Sequence, residues 1–223
     1  MKRIQSTLKW FTRLDVIIGI VGSIILSVGS WTHIFPYANI DIAAFISGAV
    51  CVWLLVRNNI WNWPVGIINA GLFVVLFYNI HLYADSALNA LYIVLGFWGW
   101  WYWTHSGKSK IQRPITNGGL LEQGIVILIG AVATYFISIH LTNIKDVAPF
   151  WDALTTAISL VATYLQARKF IESWWYWIAA DVIYIPLYFS KHLPLTGVLY
   201  VLFLAMCVKG LLAWKPELVK RDK

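Results

Sequence analysis

Charged residues in this chain are separated by long uncharged stretches. Between Arg13 and Arg57 the only charges are Asp15 and Asp41; between Arg57 and Lys108 there is only Asp85; between Arg113 and Lys145, only Glu122. A hydrocarbon core is crossed by a helix of about 20 residues, and an ionisable side chain at its centre is expensive, so gaps of this kind mark membrane spans. Composition agrees. Of 223 residues, 60% are hydrophobic and 12% charged, against roughly 45–50% and 25% in globular domains. An aqueous core in a chain this short cannot hide that much apolar surface, which excludes a soluble domain, and disordered, collagen-like and disulfide-framework classes fall with it. Cys51 and Cys207 lie inside apolar runs and read as small packed hydrophobes.

Eight spans are expected, at 15–32, 38–56, 61–79, 84–104, 120–140, 149–167, 174–190 and 195–213. The first has the basic flank of a signal peptide but no small-residue cleavage site, and is expected to be retained. Basic residues concentrate on the cytoplasmic side of membrane proteins. Under the eight-span reading, fourteen Lys and Arg fall on one face and only Lys145 and Lys191 on the other, with Lys209 near the cytoplasmic end of the last span. Both termini are therefore expected inside. The net charge of +7 reads as a topology signal and not as a nucleic-acid surface.

Sliding the chain by 112 residues sets Trp63 on Trp175, Asn69 on Asp181 and Arg57 on Lys169, and small loop shifts bring Tyr92 to Tyr200 and Trp103 to Trp214. The expected fold is an all-α polytopic membrane protein built as a 3+1+3 parallel repeat, with one extra N-terminal transmembrane helix. Its expected parts are a basic segment and extra helix over 1–37, a first repeat over 38–104, and a cytoplasmic loop and linker helix over 105–141. A second repeat over 149–214 and a cytoplasmic tail over 215–223 complete it. Ligand sites in parallel-repeat carriers lie between the repeats near the midplane.

Tryptophan supplies 14 residues. An interfacial aromatic belt accounts for Trp61, Trp101, Trp103 and Trp174, whereas Trp63, Trp98 and Trp177 start nearer the hydrocarbon, beside polar neighbours, and are candidates for stacking on a flat or cationic ring. Asp181 is the strongest polar candidate, about seven residues and roughly 10 Å into its span. Asn69, Asn89, Thr163 and Gln166 add hydrogen-bonding groups for which interhelical contact and ligand contact are both open, and the repeat partners Tyr92 and Tyr200 complete the candidate set. Asp41, Asp85 and Asp152 begin spans, where a carboxylate caps exposed amides. Pro186 is expected to interrupt the hydrogen-bond ladder and bend its helix.

Several engines are missing. Gly107-Lys108-Ser109 echoes a phosphate loop, but Tyr102 holds the place of its upstream glycine. No histidine pair has metal-ligand spacing and no Ser, His and acid set converges. An embedded enzyme is therefore disfavoured.

The stretches RNNIWNWPVGI (57–67), LYADSALNALYIVLGFWGWWYW (82–103), RKFIESWWYWIAADVIYIPLY (168–188), LTGVLY (195–200) and GLLAW (210–214) together resemble the PnuC family of bacterial vitamin transporters. The resemblance implies a fold like that of the SWEET sugar transporters, often a homotrimer in the inner membrane bilayer, that carries nicotinamide riboside into the cell by facilitated diffusion. A cytoplasmic kinase would trap the substrate by phosphorylation, and the transporter itself would need no cofactor. Asn89 and Thr163 stand where family members commonly carry Gln, which leaves thiamine, and after it riboflavin, as alternative substrates. A receptor that binds without moving its ligand is the competing class.

Overall fold

The computed structural model describes residues 39–105, 113–145 and 148–219. Seven long helices account for nearly all of them: α1 (Asn39–Val56), α2 (Asn62–Asn79), α3 (Tyr83–Thr104), α4 (Leu120–Asn143), α5 (Pro149–Ala167), α6 (Ser173–Ser190) and α7 (Pro194–Trp214), followed by a 3₁₀ turn at Lys215–Glu217. The expected span at 15–32 lies outside the described residues. By length and composition alone α1, α4 and α7 with its 3₁₀ extension can cross a membrane. The other four carry more polar groups, many of which α5 and α6 bury.

Proline opens α5 and α7 at the first helical positions, where the missing N–H costs nothing. The helix ends are less legible. Asn58, His81, Lys169 and His192 all have φ between 52° and 63°, and each is followed by an amide that reaches back five residues: Asn59 to Leu54, Leu82 to Phe77, Phe170 to Leu165 and Leu193 to Tyr188, all at 2.9 Å. These are left-handed helix stops that usually take glycine. Here Asn, His and Lys fill them, so the usual signal for a helix end is absent. Pro186 withholds one N–H from the helical ladder without ending the helix: α6 runs through it to Ser190.

The helices pack as a ring. Neighbours run α1, α2, α3, α5, α6, α7 and back to α1, while α4 lies outside against α5. Matching environments recur at a spacing of 111 residues. Trp63 meets Trp103 edge-on, with centroids 5.5 Å apart and planes at 86°; Trp174 meets Trp214 at 5.3 Å and 85°. Both first rings lie against a glycine, Gly99 or Gly210, whose missing side chain makes the room. Both second rings donate an indole N–H to the end of a helix in the other half, Trp103 to Ala167 O at 3.0 Å and Trp214 to Leu55 O at 3.2 Å. The left-handed residues Asn58 and Lys169 share the spacing and touch, Lys169 Nζ donating to Asn58 Oδ1 at 2.7 Å.

Two expectations are corrected here. The register is 111, so Trp63 corresponds to Trp174 and Asn69 to Ala180; Trp175, the partner expected at 112, is exposed. Trp103 and Trp174, expected in the interfacial belt, are among the most buried side chains of the protein, whereas Trp61 and Trp101 are exposed as a belt requires. Glycines four residues before Trp103 and Trp214 admit the facing indole and convert a surface ring into a core one.

The linker between α3 and α4 is tied to the same end of the ring. Thr116 N–H donates to Lys169 O, Ile171 N–H to Thr116 O and Val219 N–H to Ile115 O, at 2.9–3.1 Å. Lys169 is fully buried there, its ammonium 4.0 Å above the Trp103 ring. Burial pushes this ammonium down to about 7, with the Glu217 carboxylate opposing the shift.

Candidate functional site

Helix α5 is polar along one face. Asp152, Thr155, Ser159, Thr163 and Gln166 recur every three or four residues and all are buried, the spacing that puts side chains on one side of a helix. Helix α6 presents a second row, Trp177, Asp181, Tyr184, Tyr188 and Lys191, also at three and four residues. The two helices run in opposite directions and the rows meet at three levels. Lys191 Nζ donates to Asp152 Oδ1 at 2.7 Å, Ser159 Oγ to Tyr184 Oη at 3.4 Å, and Trp177 Nε1 to Gln166 Oε1 at 2.8 Å.

Helices α3 and α7 close the cluster. Tyr92 brings its ring to 6.3 Å from Trp177, tilted by 55°, and its hydroxyl to Ser159. Tyr200 packs between Tyr184 and Tyr188, at 4.7 and 5.0 Å. Asp181 is 1% exposed and accepts the Cys207 thiol at 3.4 Å, and its carboxylate lies within electrostatic reach of both Tyr92 and Tyr200. Thr163 Oγ1 bonds back to Ser159 O at 2.8 Å, and Asn89 Nδ2 to Asp85 O at 2.8 Å. Asn89 therefore sits on the same face of α3 as Asp85 and Tyr92, one turn from each.

At one end of the rows Lys191 is clamped. Besides Asp152 it reaches Asp85 Oδ2 at 3.0 Å, and Tyr188 Oη donates to Asp85 Oδ1 at 3.1 Å. All three charged side chains are at most 7% exposed. Burial pulls the Lys191 ammonium down, but the two carboxylates outweigh it and hold the group above its ordinary value. This corrects the capping role expected of Asp85 and Asp152. Both do lie in first helical turns, but the N-cap positions belong to Leu82 and Ala148, which make no side-chain cap; a buried lysine is the stronger claim on each carboxylate. At the opposite end Trp98 stacks on Tyr164, with centroids 5.9 Å apart and planes within 4°. The Tyr164 hydroxyl is held between Arg168 at 3.0 Å and Glu122 at 3.2 Å.

Seven of the ten residues singled out in the sequence thus converge: Asn89, Tyr92, Thr163, Gln166, Trp177, Asp181 and Tyr200. Trp98 lies at the edge of the group. Trp63 and Asn69 lie apart from it, Trp63 against Gly99 and Trp103 and Asn69 donating to Ala44 O at 2.7 Å and Ser47 Oγ at 3.0 Å. A cavity of about 540 Å³ opens elsewhere, between α1 and α2, with Ile42, Ile46, Val50 and Ile68 in its lining. Sequence reasoning missed Thr155, Ser159, Tyr184, Tyr188 and Lys191. Their signal was helical spacing: Thr155 and Ser159 continue the Thr163 face, and Tyr184 and Tyr188 continue the Trp177 and Asp181 face.

Comparison with known proteins follows the same lines. A family model described as nicotinamide mononucleotide transporter matches residues 38–216. The riboflavin/roseoflavin transporter RibM of Streptomyces davaonensis is 25% identical over 178 residues, covering 78% of this chain and 83% of its own. The nicotinamide riboside transporter PnuC of Escherichia coli is 24% identical, covering 78% and 84%, and that of Neisseria mucosa 27% identical, covering 80% and 72%. A crystal structure of the vitamin B3 transporter PnuC superposes with a TM-score of 0.73 over 91% of both chains at 23% identity, a likeness of fold. The family match starts just before α1 and ends within the last 3₁₀ turn, so it takes in the whole helical body: the chain belongs to the PnuC, or nicotinamide mononucleotide transporter, family and is an all-α membrane protein.

Proposed function

We propose that this protein carries nicotinamide riboside across the bacterial inner membrane by facilitated diffusion, a cytoplasmic kinase trapping the product. The observation that carries the reading is the enclosed polar and aromatic cluster between α3, α5, α6 and α7. It offers a flat indole with a fixed amide beside it (Trp177 and Gln166), a buried carboxylate (Asp181) and several hydroxyls (Tyr92, Ser159, Tyr200). Nicotinamide riboside has matching parts: a cationic aromatic ring for the indole face and the carboxylate, an amide for Gln166, and a ribose for the hydroxyls. Asn89 and Thr163 would adjust the fit from the same walls, and Trp98 would border the site from below. The PnuC relatives named for nicotinamide riboside support the choice of substrate.

In this reading α1–α3 and α5–α7 are two parallel copies joined by α4, a 3+1+3 arrangement supported by the tryptophan pairs and left-handed stops that recur at 111 residues. Trp63 and Asn69 serve the scaffold of the first copy. The excess of Lys and Arg at the ends near Arg57, Arg113 and Arg168 supports a cytoplasmic location for that face and for both termini. The RibM relative supports riboflavin as the second choice of substrate.

Counterflow in proteoliposomes tests the proposal. Labelled nicotinamide riboside should exchange without ATP or an ion gradient, and excess unlabelled nicotinamide riboside should compete better than riboflavin or thiamine. Binding without exchange would make the protein a receptor, and exchange of riboflavin alone would transfer it to the second reading.

A further inference from the structure

The two halves of the ring are not chemically equivalent, although they are built alike. The positions of α1 that match the polar row of α5 carry Asp41, Ala44, Gly48, Val52 and Leu55. Those of α2 that match the α6 row carry Gly66, Ala70, Phe73, Phe77 and Ile80. Below Asp41 the matching rows of the first seam carry only aliphatic and aromatic groups, and its polar contact is made beside them, by Asn69 to Ala44 O and Ser47 Oγ; the second has a polar contact at each of three levels over about 21 Å of helix, at 1.5 Å per residue from 152 to 166. Burying such a row costs free energy unless it is paired. Apolar rows would hold the helices together at no such cost, as Ala44, Gly48, Val52 and Leu55 of α1 and Gly66, Ala70, Phe73 and Phe77 of α2 do in the first half.

From this asymmetry we infer that the ligand's path runs along the α5–α6 seam, walled by α3 and α7, and not along the matching α1–α2 seam, and that Lys191, clamped between Asp85 of α3 and Asp152 of α5, is its outer gate. The inference rests on the transporter reading above for its sidedness and its ligand. Lys191 follows the last residue of α6, at the turn into α7, so its two ion pairs tie that turn to two different helices across the mouth of the row. Tyr188, one turn deeper, adds a hydrogen bond to Asp85 and stacks on Tyr184 and Tyr200. Water from the outer side meets Asp181 only when these ties release. Salt bridges suit a gate because solvent can replace their partners once they open, whereas an apolar plug would expose greasy surface.

Cys207, hydrogen-bonded to Asp181, is a built-in reporter of that release. In a Cys51→Ala background, reaction of Cys207 with a membrane-impermeant maleimide is measured from each side of oriented vesicles. With the triad intact, Cys207 should be protected from the outer side. Replacing all three charges together (Asp85→Asn, Asp152→Asn, Lys191→Met) should raise outer labelling at least tenfold, and Lys191→Arg should leave it low. Tyr188→Phe keeps the ring, removes one tie and should raise labelling a few fold; it decides the matter if the triple variant does not fold. Rapid outer labelling with the triad intact, or unchanged labelling in a folded triple variant or in Tyr188→Phe, overturns the gate. Labelling that rises only from the cytoplasmic side overturns its placement. Protection of Cys207 by nicotinamide riboside is read separately: its absence counts against the proposed substrate and leaves the gate result standing.

Discussion

The hydrogen bond between Trp177 and Gln166 joins α5 and α6 at the level of the proposed site, at 2.8 Å between Nε1 and Oε1. Gln166→Leu keeps approximate volume and leaves the indole N–H without its acceptor in a half-buried setting, which costs about 1 kcal/mol. Trp177→Phe keeps an aromatic face, leaves the Gln166 carbonyl unpaired and removes part of a large ring, with a cost of the same order. In the double variant neither partner is orphaned, so the loss should fall short of the sum of the singles by about 1 kcal/mol or more. Thermal unfolding in detergent, run as a double-mutant cycle, measures the coupling. Ligand titration separates packing from recognition: Trp177→Phe should retain stacking and bind several-fold more weakly, whereas Trp177→Ala should lose more than tenfold, about 1.4 kcal/mol. Strict additivity in stability would refute the bond, and unchanged affinity in Trp177→Ala would remove the ring from the site.

Gly99→Ala and Gly210→Ala should each destabilise by about 1–3 kcal/mol, because the added methyl falls inside the Trp63 or Trp174 ring; Gly124→Ala, with open space around it, is the control, and equal melting temperatures for all three would refute the packing. Lys169 has its folded-state pKa lowered to about 7 from 10.5, so between these values the unfolded chain binds more protons and stability rises with pH. From pH 6.5 to 8.5 the gain is about 2 kcal/mol at 1.36 kcal/mol per unit, and Lys169→Met should lack it; parallel pH profiles for the two proteins would contradict the shift. Asp181→Asn keeps an acceptor for the Cys207 thiol and removes a charge, so affinity for cationic nicotinamide riboside should fall about tenfold while binding of uncharged riboflavin, compared by titration, should change little; equal losses would deny Asp181 any role in charge recognition.

Sequence alone determined where the long helices lie. Charge gaps located all seven described helices to within a few residues, because the signal follows from local chemistry: lipid excludes charge. Internal similarity was legible too, but its register was not. The left-handed stops carry Asn, His and Lys instead of glycine, and one residue of slip between greasy helices changes little in composition. It changes which indole is buried. Only the tertiary structure decided that Trp103 and Trp174 lie in the core while Trp61 and Trp101 do not, since the deciding glycines stand opposite those rings in space or on another helix. The site divides the same way. Costly polar groups in a membrane announced themselves, so Gln166, Trp177 and Asp181 were visible one by one. That α5 and α6 align them into a ladder, with Lys191 shared between two helices distant in sequence, depends on antiparallel packing, a property of the pair that neither segment carries by itself.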